Sequence, residues 1–300
     1  MVSLSYWLSE HPSVVGFQWS LALWGSTWSF LITSISFYIL TAVALHLLLL
    51  LFFGRRPVPI GRLPALHSLA LSLVSFGIFL GILSSAAAEI RETRWIWRRT
   101  KTPFQWLLCF PIGTRPSGRV FFWSYAFYLS RFLHVLRTYL TVLRRRRLSF
   151  FHLFNHSILI CMSFLWLEFS QSFQVVAILL TTLGFAVVNA YRFCTDDVGL
   201  RPARFPFVMN CHLVFLLCNS ACHVGVLLLH FRKGGCNGMG AWVFNSALNS
   251  FALILFLRSY VKARMIRRKA AMASMAAREE DERESMASHT KNKPLTSKEL

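Results

Sequence analysis

The chain has 300 residues, with 32 Lys and Arg against 12 Asp and Glu, so its net charge is +20, yet 55% of it is hydrophobic and only 15% charged. A soluble domain carries about 25% charged residues, and the 28 Phe and 10 Trp exclude a disordered basic chain or a nucleic-acid-binding tail. High apolarity combined with surplus positive charge leaves the class of integral membrane proteins, whose basic residues sit in loops and at interfaces.

In chain order, the first 20 residues show no basic region ahead of an apolar run, so the first membrane segment is expected to act as an uncleaved signal. A spanning helix needs about 20 mostly apolar residues. Runs of that kind lie at 29–53, 65–84, 120–143, 150–168, 173–193, 205–231 and 241–260. They predict an all-α, polytopic membrane protein of about seven transmembrane helices. Its organisation reads as an N-terminal segment 1–28, a membrane domain 29–261 and a charged tail 262–300. The connections are punctuated where they should be: Gly54 with Pro57 and Pro59, the run Arg144 to Arg147, Gly199 with Pro202, and the glycine-rich turn 234–240. The longest link, 85–119, carries Trp95, Trp97 and the run Phe104 to Phe110, which suggests an interfacial or re-entrant piece.

Seven spans place the termini on opposite sides. With a cytosolic C-terminus, the cytosolic loops hold Arg55, Arg56, Arg62, Arg144 to Arg147, Arg192, Arg201 and Arg204, together with the basic tail. The link from Arg91 to Arg119 pulls the other way. The seven cysteines (109, 161, 194, 211, 218, 222 and 236) are odd in number and lie mostly inside apolar runs. They read as small buried hydrophobes rather than a disulfide framework.

Ionisable groups inside a span cost about 2.5 to 3.5 kcal/mol each, so each is a functional candidate. Arg131, His134 and Thr138 share one helix face, with Arg137 beside them, and His152, Asn155 and His156 share another. Paired imidazoles suit acid–base or nucleophilic chemistry, or interhelical hydrogen bonding. A later stripe of His212, Asn219, His223 and His230, with Asn245 and Asn249 on the last span, fits interhelical hydrogen bonds or bis-histidine haem ligation. The sequence has no P-loop, no dinucleotide fingerprint and no zinc-site spacing, and neither a metal nor a cofactor is expected.

The segment 126–156 resembles the ELO family of very-long-chain fatty acid elongases, and in particular its plant ELO-like branch. Arg131, His134, Arg137 and Thr138 stand where that family has K-x-x-E-x-x-D-T. The basic run Arg144 to Arg147 is followed by His152, Asn155 and His156 where the family has H-x-x-H-H. Over 181–192, Tyr191 matches the later family motif and Phe185 stands at its histidine, while His212 falls at the first Gln of T-x-x-Q-x-x-Q.

The resemblance implies helices around a buried acyl tunnel in the endoplasmic reticulum membrane. It also implies a transferase that condenses malonyl-CoA with a long-chain acyl-CoA to a 3-oxoacyl-CoA. On this reading His152, His156 and Asn155 form the catalytic set. Arg131, His134, Thr138, Tyr191, Arg192 and His212 bind substrate, and Arg144 to Arg147 face the CoA phosphates. The implied partners are acyl-CoA and malonyl-CoA, membrane lipids and the other elongase-complex enzymes, with homo-oligomer formation left open and no nucleic acid. The incomplete histidine box also leaves room for a non-catalytic scaffold or lipid-binding relative.

Overall fold

The computed structural model describes residues 5–53, 58–96, 103–144, 150–197 and 206–291. Among these residues there is no strand, only an isolated antiparallel bridge between Gln18 and Ser117. A π-helical turn (Tyr6–Glu10) and α1 (Pro12–Val15) precede α2 (Trp28–Phe53), α3 (Leu63–Ile96), the short α4 (Pro103–Leu108), α5 (Arg119–Leu143), α6 (Phe150–Glu168), α7 (Gln174–Asp197), α8 (Pro206–Lys233) and α9 (Met239–Lys291). Five of these helices are long and apolar enough to cross a membrane: α2, α3, α7, α8 and α9. The third and fourth expected spans are the helices α5 and α6. α5 is more polar than a plain span, and α6 runs over the 19 residues Phe150–Glu168.

Two helices run past their expected ends, for a local reason. Ala86 to Glu89 are strong helix formers and no Gly or Pro follows them before Ile96, so α3 continues to Ile96. The Ala-, Met-, Glu- and Arg-rich tail likewise continues α9 to Lys291. Contacts divide the chain into two compact units, Met1–Ala252 and Leu253–Leu300. In the second unit Lys262, Arg264, Arg267, Arg268 and Lys269 are exposed.

Within the first unit, α3 packs against α5 and α7, α5 against α6, and α7 against α8. Side chains close the remaining arc. Phe154 of α6 meets Phe251 of α9 edge to face at 5.2 Å, and His223 of α8 is bonded to Ser246 and Asn249 of α9. Six helices therefore form a ring in the order α3, α5, α6, α9, α8, α7. The first span, α2, touches α5 and α6. It is apolar on every side and exposes Phe37, Leu40, Leu47 and Leu51, as a lipid-facing helix does.

Close backbone approach holds the ring on one side. A β-carbon at Gly81 of α3 would stand 2.2 Å from the indole of Trp123 on α5. Gly81→Ala is therefore expected to destabilise the protein by about 1–3 kcal/mol through overpacking. A lowered thermal midpoint in detergent, relieved by the additional change Trp123→Leu, checks it.

One end of the ring is stitched shut. The N-terminal segment lies across it, with Trp123 Nε1 donating to Leu8 O (2.8 Å) and the Trp19 indole to Glu168 (2.9 Å). Asn237, in the α8–α9 turn, ties three segments together. Its amide donates to the carbonyls of Phe169 and Ser170 (both 3.1 Å), and Gly113 N donates to its Oδ1 (3.1 Å). The link expected to be interfacial is anchored here, with Phe110 fully buried and its N–H donating to Ser172 Oγ (3.0 Å).

Two cysteines depart from the reading as buried hydrophobes. Cys109 and Cys236 form a disulfide at this end, with Cα atoms 5.1 Å apart across a sequence separation of 127. The turn that Asn237 organises brings them together, and their spacing carries no mark of it. The other five cysteines are free and half-buried.

Candidate active site

α5 carries the most two-sided pattern of the chain. Val120, Phe121, Ser124, Phe127, Tyr128, Arg131, His134, Val135, Thr138 and Val142 recur every three or four residues and are all buried. Arg131 is 1% exposed. Its guanidinium lies over the rings of Phe127 (4.0 Å) and Phe185 of α7 (4.9 Å), and Nη2 donates to Ser130 Oγ (2.8 Å) and approaches His134 Nε2 (3.3 Å). Its Nη1 is buried with no hydrogen-bond partner. A desolvated guanidinium with a free donor is set to take an electron-rich oxygen.

The His134 ring packs against Phe185 with ring centres 4.7 Å apart and planes inclined at 48°. Its charged or titratable neighbours are Arg131, His156, Arg137 and His67, so His156 of the adjacent helix α6 lies within electrostatic range of it. Asn155 and His156 are half-buried on α6. His152 lies one turn earlier on the same helix, and its side chain falls outside the described residues.

The remaining candidates separate. Thr138 is fully buried, but its hydroxyl is paired with Tyr38 of α2 at 2.9 Å. It shares the contact between α2 and α5 with the pair Thr41 and Tyr139 (2.5 Å). Arg137 Nη1 donates to Asn189 of α7 at 3.0 Å. Tyr191, whose ring packs on Phe207 of α8 at 5.1 Å, has a buried hydroxyl without a partner. Arg192 is near the C-terminal end of α7 and Arg144 caps α5, while Arg145 to Arg147 lie outside the described residues. His212 is on the first turns of α8 and half-buried.

The histidines further along α8 are engaged within the protein. Asn249 donates to His223 Nε2 (3.0 Å), leaving Nδ1–H to donate to Ser246 Oγ (2.9 Å), whose hydroxyl donates to Trp242 O (2.7 Å). His230 Nδ1 accepts from Cys236 N (3.0 Å). His223 and His230 are thus engaged in hydrogen bonds within the protein, and no ring nitrogen of His223 is left for a haem iron. Among the described residues, no group of His, Cys, Asp or Glu is placed to hold a metal ion.

A family model, described as ELO: GNS1/SUR4 family, matches residues 23–272. The chain belongs to the ELO family. It is 60% identical over 265 residues to the Arabidopsis thaliana protein named Fatty acid elongase 3-like, covering 87% of this chain and 91% of that relative. It is 28% identical over 206 residues to Fatty acid elongase A of Dictyostelium discoideum, covering 66% and 70% of the two chains. Fatty acid elongase sre1 of the same organism is 22% identical over 196 residues, covering 65% and 69%. No solved structure matches the chain.

Against the ELO motifs, the structure gives two substituted positions a physical use. Phe185, at the motif histidine, is the ring lying over Arg131 and His134. Asn189 is the partner of Arg137, the residue at the motif Asp. Neither was legible as functional, because an isolated Phe or Asn in an apolar helix carries no local signal. Gln171 and Gln174 are likewise buried polar residues outside the ELO motifs. Two glutamines three residues apart, just beyond an apolar span, were a signal that was available.

Proposed function

We infer that this ELO protein is a condensing enzyme of fatty acid elongation, joining malonyl-CoA to a long-chain acyl-CoA with loss of CO2 to give a 3-oxoacyl-CoA. The observation that supports it is the dry Arg131–His134 pair facing His156 inside a helical ring. The acyl tail lies within the ring among its Phe-rich walls, and the CoA phosphates stay at the mouth near Arg144 and Arg192. Loss of CO2 from the malonyl thioester leaves an electron pair on its C2, which attacks the acyl carbonyl, and the acyl-bearing thiol leaves. Arg131 Nη1 donates to the carbonyl oxygen as negative charge develops there, in a site without competing water. His152 and His156 line the acyl-transfer site and move the proton that the departing thiolate takes up. Asn155 hydrogen-bonds in place of the middle histidine, His134 fixes Arg131, and Tyr191 and His212 bind substrate further along. Thr138 acts through the contact with α2, and its part is in positioning α5.

The protein sits in the endoplasmic reticulum membrane with seven spans, α5 and α6 included. Disulfides persist in oxidising compartments, so the stitched end with Cys109–Cys236 is lumenal. The basic loops and the tail are then cytosolic, as the positive-inside rule favours. On this side acyl-CoA, malonyl-CoA and the enzymes that reduce and dehydrate the 3-oxo product have access.

Two experiments test the reading. Microsomes from an elongase-deficient host expressing the protein, given labelled malonyl-CoA and saturated acyl-CoAs, are expected to form labelled 3-oxoacyl product. No product at any chain length would leave the chain a non-catalytic ELO relative. In sealed microsomes a C-terminal tag is expected to be removed by added protease, and its protection would reverse the orientation.

A further inference from the structure

From the stitched end to the middle of α8 runs a second set of buried polar side chains that the reaction does not use. Gln171 of the α6–α7 turn, Gln174 at the start of α7 and Asn245 of α9 are fully buried, and Asn219 of α8 is 3% exposed. Gln171 Oε1 accepts from the Asn245 amide, and His223, one turn from Asn219, is bonded by Ser246 and Asn249, so the turn, α8 and α9 share one buried polar region. It is far from satisfied. Gln171 Nε2, both polar atoms of Gln174, Asn219 Oδ1 and Asn245 Oδ1 are buried without a hydrogen-bond partner. Each unpaired group of this kind is costly away from water. The backbone there is also strained, with φ of +42° at Ser170 and +80° at Phe173, a conformation a bulky residue rarely adopts. Phe173 in turn packs on His223 at 4.7 Å.

We propose that this cluster is a subsite for a terminal hydroxyl, so that the chain accepts ω-hydroxy acyl-CoAs. The proposal rests on the elongase reading, since it takes the acyl chain to run from His156 toward the stitched end. About 18 Å of helix rise separates His156 from the end of α6 at Glu168, which suits a long chain with its carbonyl at one end and its terminus at the other. The free atoms choose the group. Two amide nitrogens can donate, and the oxygens of Gln174, Asn219 and Asn245 can accept. A hydroxyl both donates and accepts, so it satisfies both kinds. A carboxylate only accepts and would face three oxygens, and a methyl group satisfies none of them.

The test uses the full chain in elongase-deficient microsomes with labelled malonyl-CoA and paired acyl-CoAs of equal length, one methyl-ended and one ω-hydroxylated. The ω-hydroxy substrate is expected to be elongated with kcat/KM at least about tenfold higher, because a site built to hydrogen-bond a hydroxyl discriminates against its absence. Gln174→Met and Asn219→Leu, close in size to the residues they replace, are expected to bring the ratio of the two substrates toward one. The purified protein gives a readout independent of turnover: its thermal midpoint is expected to rise more with the ω-hydroxy acyl-CoA than with its methyl-ended partner. Equal use of both substrates, or variants that change both alike, would overturn the proposal and leave the cluster a hydrated structural feature. If neither substrate is turned over, the elongase reading falls, and the subsite is then decided by the thermal shifts alone.

Discussion

Replacing His156 with alanine is expected to slow condensation by about 10²–10⁴-fold, the range for loss of a positioned acid–base group, while the protein stays folded in the membrane. The size follows from where the residue sits. His156 is half-buried on α6, the helix packed against α5, and lies within electrostatic range of His134, the neighbour of Arg131. Truncating a half-buried imidazole removes little packing, so loss of rate rather than loss of protein is the signature. His152→Ala, one turn earlier on α6, is expected to match it.

Arg131→Met is expected to lower the rate by about 10²–10³-fold as well, by removing a donor from the developing oxyanion. It also relieves a buried cation that has no carboxylate among its hydrogen-bond partners, so stability should hold or rise. Initial rates of labelled 3-oxoacyl product, normalised to the protein present, separate the two effects. Full activity in both histidine variants would remove α6 from the chemistry. Loss only in Arg131→Met would move the reaction centre onto α5.

What the sequence disclosed followed from local physics. α6 begins and ends where its apolar run does, because the segment after Glu168 must leave the helix to form the turn with Ser170 and Phe173 at positive φ. The buried face of α5 was legible from spacing, and so was the sharing of one face by Arg131 and His134. Thr138 shows the limit of that argument. It lies on the same broad buried stripe, yet the helix that packs there is α2, and its hydroxyl is taken by Tyr38, 100 residues earlier. Contacts between distant helices depend on the order of the ring, which no local pattern encodes. The same holds for Phe185 over Arg131, for Asn189 with Arg137, and for Gln171 with Asn245. Membrane crossing was read from composition and length, but the ring could be found only once the helices were placed.

Removing the Cys109–Cys236 bond by Cys236→Ala is expected to cost about 2–5 kcal/mol of stability, the usual range for a native disulfide. The bond closes a long loop, with a sequence separation of 127 between its ends, so it restricts the unfolded chain strongly. It also fixes the α8–α9 turn beside Asn237, whose amide holds the α6–α7 turn and whose Oδ1 holds Gly113. Loss of the bond should therefore loosen the stitched end before the ring. The thermal midpoint of the detergent-solubilised protein is expected to fall, and reductant should lower the wild type by the same amount while leaving Cys236→Ala unchanged. Alkylation without reductant should label five thiols in the unfolded wild type, matching the five free cysteines, and seven after reduction. Seven labelled thiols without reductant would show that the bond is not formed, and the lumenal assignment of this end would then lose its support. Turnover by the variant at low temperature should persist, since the bond lies at the end of the ring away from His156. A selective loss of rate at full stability would instead tie the stitched end directly to the reaction.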